Sequence, residues 1–93
     1  MENQSPTNRI LQHCASINKR LGFSTEEIAK AAPGVFAIGK DVRSLQEEPL
    51  YCLMKYPWDG SACYPVTLPA PAEEAEQRIS RYMISMHMPP VRD

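Results

Sequence analysis

The chain has 93 residues, with ten Lys/Arg against eleven Asp/Glu for a net charge of −1, and is 43% hydrophobic and 23% charged. That length holds one domain near the lower limit for a core without disulfides or metal, and the mix excludes wholesale disorder. No apolar run approaches the roughly 18–20 residues of a membrane span, and MENQSPTN lacks a signal-peptide layout, so a soluble, cytoplasmic protein with no membrane partner is expected.

Residues 1–6 read as a flexible tail. Ile10, Leu11, Cys14, Ile17 and Leu21 then recur at spacings of three and four, which predicts an amphipathic helix. Thr7 is its expected N-cap and Gly22 its terminator, with Lys19 and Arg20 suiting the negative end of the helix dipole. His13, Asn18 and Arg20 are expected on its outer side. Ser24 and Glu27 have capping-box spacing, flanked by Phe23 and Ile28 as a hydrophobic staple, so a second helix starts there. It runs to about Ala32, where Pro33-Gly34 turns the chain. Ile38, Val42 and Leu45 again fall at helical spacing and predict a third helix over 37–48, stopped by Pro49. This leaves Gly39, Lys40, Arg43, Ser44 and Glu47 exposed.

From Leu50 the period becomes two, with Leu50, Cys52 and Met54 on one face and Tyr51, Leu53 and Lys55 on the other. A second strand over 61–68 pairs with it through the Asp59-Gly60 turn, and Pro65 marks that strand as an edge. Trp58 at the turn is either folded onto the core or offered to a partner. Pro69-Ala70-Pro71 is a stiff connector outside any regular ladder. Glu73, Glu74 and Glu76 followed by Arg78 and Arg81 match a helix dipole, and Ala75, Ile79, Tyr82, Met83 and Met86 form a stripe, predicting a closing helix over 72–87. Its methionines suit core filling or a homodimer seam. The expected organisation is a tail to residue 6, a head over 7–68, the connector 69–71, a C-terminal helix over 72–88 and a tail over 89–93.

The segment STEEIAKAAPGVFAIGKDVRSLQEE followed by PLYCLMKYPWDGSACYPVTL resembles a winged helix-turn-helix: helix, turn, recognition helix, wing. The resemblance covers about half the chain. It implies an α+β, mainly helical domain of three helices, a two-stranded β-hairpin wing and a C-terminal helix. In that family the recognition helix enters the major groove of double-stranded DNA and the wing touches the backbone or minor groove. Carried over, this nominates Lys40, Arg43 and Ser44 on the helix and Lys55 with Trp58 on the wing, in a small transcriptional regulator.

No nucleophile elbow, metalloprotease helix, phosphate loop or dinucleotide fingerprint occurs, so the chain is expected not to be an enzyme and to need no cofactor. Cys14, Cys52 and Cys63 are an odd set with no CxxC pair, and His13 and His87 lie at opposite ends; free thiols and no metal are expected. Up to Ala72 the cations Arg9, Lys19, Arg20, Lys30, Lys40, Arg43 and Lys55 balance Glu2, Glu26, Glu27, Asp41, Glu47, Glu48 and Asp59, seven against seven. A head that is neutral overall suits a second use of the same fold. Tyr56 and Trp58, with Tyr82, Met83 and Met86, would then bind protein, in a regulator or inhibitor of a larger complex such as a phage or plasmid encodes. The two readings separate on salt, since phosphate contacts weaken steeply as salt rises and an aromatic interface does not.

Overall fold

In the computed structural model, which describes residues 5–41, 48–59 and 61–88, a three-stranded antiparallel sheet carries two helices on one face. The chain order is α1 (Pro6–Arg20), α2 (Thr25–Ala29), β1 (Phe36–Asp41), β2 (Leu50–Lys55), β3 (Tyr64–Pro65) and α3 (Ala72–Ser85). The sheet order is β1-β2-β3, so β2 is central and β1 and β3 are edges.

Helix α1 is capped two residues earlier than the expected Thr7. Ser5, not Thr7, is the N-cap, its hydroxyl accepting from the Asn8 N–H at 3.1 Å, with Pro6 in the first turn where no N–H is needed. Ile10, Cys14 and Ile17 are buried as the stripe predicts, and Gly22 takes φ +88° just past the end. His13 and Asn18, expected outside, are buried instead, while Leu11 is exposed. The stripe is therefore rotated: α3 covers the His13 side, and the Leu11 side is left open.

The capping box of α2 forms as expected, Glu27 N–H donating to Ser24 Oγ and Ser24 N–H to Glu27 Oε1. The helix is shorter than expected, ending at Ala29, because Ala31 at φ 54° turns the chain before Pro33. None of its five residues is buried.

The helix expected over 37–48 is not formed at its start. Phe36–Asp41 is strand β1, paired with β2 from Phe36↔Lys55 to Asp41↔Leu50. Residues 42–47, the middle and end of that expected helix, lie outside the described residues. The spacing of Ile38, Val42 and Leu45 fits a helix, but β1 gains a full ladder from β2, a gain local periodicity does not register. The strand at Leu50–Lys55 is where the period of two places it. Its partner β3 is far shorter than 61–68, with only Met54↔Pro65 and Lys55↔Tyr64 in register, and Pro65 does sit in an edge strand. The connector contributes a ladder contact after all, since Ala70 and Tyr51 exchange both main-chain bonds at 2.7 and 3.0 Å.

One core joins all of this. Ile10, Cys14 and Ile17 of α1, Ala75, Ile79 and Met83 of α3, Phe36 of β1 and Tyr51 and Leu53 of β2 are buried together. The closing helix is thus spent on the chain's own core. Among the described residues the architecture is α+β, with three helices and a three-stranded antiparallel sheet. No helix among the described residues is long and apolar enough to cross a membrane.

Candidate functional site

Of the residues nominated for DNA, Lys40 and Lys55 are the described ones. Lys40 is exposed at the far end of β1, and Arg43 and Ser44 lie outside the described residues. Lys55 is half-buried, its ammonium 5.5 Å from the centre of the Phe36 ring. Lys40 stands opposite Tyr51 and Lys55 opposite Phe36, so the two cations are four residues apart along β2, about 13 Å.

The residues nominated for a protein partner divide into two groups. Met83 is wholly buried, Met86 is half-buried against the core, and Tyr82 is half-buried with its ring 6.0 Å from that of Phe36. Burial raises the Tyr82 phenol above its ordinary pKa, with a smaller contribution from nearby Tyr64. These three support the core from α3, and Met83 in particular has no surface to offer. Trp58, by contrast, is 74% exposed. Its indole is held beside Gly34 and Phe23: a Cβ at Gly34 would lie 2.9 Å from Trp58 Cζ2 and 3.0 Å from Phe23 Cζ, and φ there is +91°. Gly34 therefore permits both the turn and the close approach of the two rings.

Tyr56 follows directly. Its main chain bonds to Gly34 and Val35, and its side chain lines an apolar groove of about 360 Å³. The groove runs between α1, α2 and β1, with Leu11 and Ala15 on one wall, Ile28 on the other and Ile38 at the strand. Leu11 is 53% exposed and Ile28 38%. Trp58, Phe23 and this groove place several large apolar side chains at one end of the molecule. Cys14 also lines it, but burial pushes its thiol up to about 11, which leaves it protonated and a poor nucleophile at neutral pH. Asp59, next to Trp58, accepts from the Ser61 N–H and hydroxyl at 2.9 and 2.7 Å; these bonds hold its carboxyl below the ordinary carboxylate range and tie down the turn.

A wider, shallower groove of about 850 Å³ lies between the segment around Val66 and Leu68 and the outer side of α3. Its walls mix Val66, Leu68 and Tyr82 with Glu73, Glu74, Arg78 and Arg81, and Arg78 is paired with Glu74 one turn away.

Of the groove's lining, residue type nominates Tyr56 in the sequence, whereas Leu11, Ile28 and Ile38 are not nominated there. Leu11 was counted into the core stripe, and Ile28 into a staple. The available signal was the shortness of α2: five residues cannot bury a branched side chain unless a neighbour covers it. No family model matches the chain, and no curated protein or solved structure matches it significantly.

Proposed function

We infer that the chain is a protein-binding module that regulates or inhibits a larger assembly, and that it holds its partner at the end of the molecule bearing Trp58 and the apolar groove. The observation that carries this is the exposure of Trp58, a large aromatic fixed against Phe23 and Gly34 and not folded into the core. Tryptophan supplies much contact area with few rotatable bonds, and such residues dominate the energetics of protein interfaces. Leu11 and Ile28 add apolar surface beside it.

The winged helix-turn-helix reading, with DNA as the ligand, asks for a recognition helix that begins where β1 is extended. It would have to rest on Lys40 and Lys55, whose separation along the sheet and the net charge of −1 give few phosphate contacts. The protein reading needs neither the helix nor a basic face.

The test is affinity capture from lysate beside binding to mixed duplex fragments, both at about 50 and 200 mM salt, a range over which phosphate-driven affinity falls by orders of magnitude. A partner retained at the higher salt and lost on Trp58→Ala, with melting unchanged, is the expected result. Salt-sensitive enrichment of particular duplex fragments, unaffected by Trp58→Ala, would return the DNA reading.

A further inference from the structure

The outer edge of β1 has main-chain groups with nothing opposite them among the described residues. Two observations fix which they are. The Asn18 side chain pairs with both groups of Phe36, donating from Nδ2 to the carbonyl at 2.9 Å and accepting the N–H on Oδ1 at 2.8 Å. Phe36 therefore points its main chain away from β2, and strand alternation points Ile38 and Lys40 the same way. Independently, the residues opposite them on β2 are turned towards the other side of the sheet. Tyr51, opposite Lys40, exchanges bonds with Ala70; Leu53, opposite Ile38, donates to Thr67 Oγ1 and accepts from Val66. Ile38 and Lys40 thus present two N–H and two C=O groups outwards, repeating at about 7 Å, the pattern that a strand satisfies.

We propose that this edge takes up an extended segment of a partner protein as an added strand, with an apolar side chain of that segment in the groove against Leu11 and Ile28 and a carboxylate facing Lys40. The proposal rests on the protein-binding reading and adds where and how the partner is held.

Three features select this occupant. The main-chain groups of Ile38 and Lys40, without partners among the described residues, call for extended backbone, as in β-augmentation, and an inserted helix would not meet them. The groove lies beside the edge on the face that carries Phe36 and Ile38, where alternate side chains of an added strand would point. Lys40 is exposed on that same face, two residues beyond Ile38, and a carboxylate across from it makes a favourable cross-strand pair. A second copy of this chain fits less well. Antiparallel pairing about Gly39 sets Ile38 opposite Lys40 of the other copy, so each groove would receive an ammonium group without a counter-charge. Asn18 closes the edge at Phe36, so the ladder starts at Ile38.

The experiment selects a displayed library of random ten-residue peptides on the immobilised full chain and measures synthetic copies of the winners. The proposal expects winners with an apolar residue and an acidic residue two positions apart, and slowed amide exchange at Ile38 and Lys40 on binding. Lys40→Pro removes an outward N–H, which an edge strand tolerates, together with the ammonium group that faces the carboxylate, and should weaken these peptides about tenfold or more with melting preserved. Lys40→Glu, which keeps the backbone intact should the proline variant not fold, should turn the preference from acidic to basic peptides.

Failure to enrich any peptide overturns the proposal, as does binding of the selected acidic peptides by both Lys40 variants as tightly as by the wild type. So does a dimer that Lys40→Pro dissolves, since the second copy would then be the occupant. A partner captured from lysate by wild type and Lys40→Pro alike, but not by Trp58→Ala, removes the added strand and leaves the protein-binding reading standing.

Discussion

Asn18 is 2% exposed, and its amide stands where a neighbouring strand would be, satisfying the N–H and the C=O of Phe36 together. Removing it strands two buried main-chain groups, each costing about 1–3 kcal/mol, so Asn18→Ala is expected to cost about 2–6 kcal/mol. That is a large share of the roughly 5–15 kcal/mol that holds a domain of this kind together. Urea titration should show a lower midpoint with an unchanged slope, since the surface exposed on unfolding is nearly the same. A midpoint within error of wild type would mean that water replaces the amide and that Phe36 is not held by it. The same side chain sets the limit of the open edge, so the residue that stabilises β1 also decides where β1 can be extended.

Among the elements, α2 is the one whose stability is most local. It has five residues, none buried, and a start set by the Ser24–Glu27 capping box, yet it supplies the Ile28 wall of the groove. Ser24→Ala should cost about 1 kcal/mol of helix stability. Because α2 contributes nothing buried, the loss should appear as faster amide exchange at Ile28 and Ala29 with little change in overall melting. A global drop in melting temperature instead would show α2 to be coupled to the core. This element also marks what could be read from sequence. Capping chemistry acts within four residues, so the start of α2 was legible, as were α1 and α3 from their stripes and β2 from its alternation. The β1 strand was not: Ile38, Val42 and Leu45 satisfy a helical period, and only pairing with β2, some fifteen residues later, makes Phe36–Asp41 extended. For the same reason Asn18 and His13 were placed outside, since a hydrophobic stripe counts apolar residues and ignores a polar side chain that finds a buried partner. In the candidate site, Trp58 and Tyr56 stood out by residue type, whereas the groove exists only where α1, α2 and β1 meet.

At the scale of the whole molecule the two long helices meet over a charged cluster. His13 of α1 is 1% exposed, with Nε2 3.7 Å from Oε2 of Glu76 on α3, and an Arg9 nitrogen lies 3.7 Å from the same oxygen. Burial lowers the His13 pKa from 6.5; the Glu76 carboxylate beside it opposes the shift, and Arg9 adds a little to it. With the folded value below the unfolded one, stability is fully present above about pH 6.5. It is lost as pH falls, because the unfolded chain takes up a proton that the folded chain resists. The slope in that window is at most about 1.4 kcal/mol per pH unit for one proton, and it vanishes below the folded pKa. Urea midpoints between pH 7.5 and 5 should therefore fall for the wild type and stay nearly level for His13→Gln, relative to each protein's own value at pH 7.5. Glu76→Gln sharpens the test: without the carboxylate that favours the imidazolium, the folded pKa drops further and the acid loss should be larger than in the wild type. A loss no larger than the wild type's would mean that the Glu76 carboxylate does not favour the His13 imidazolium.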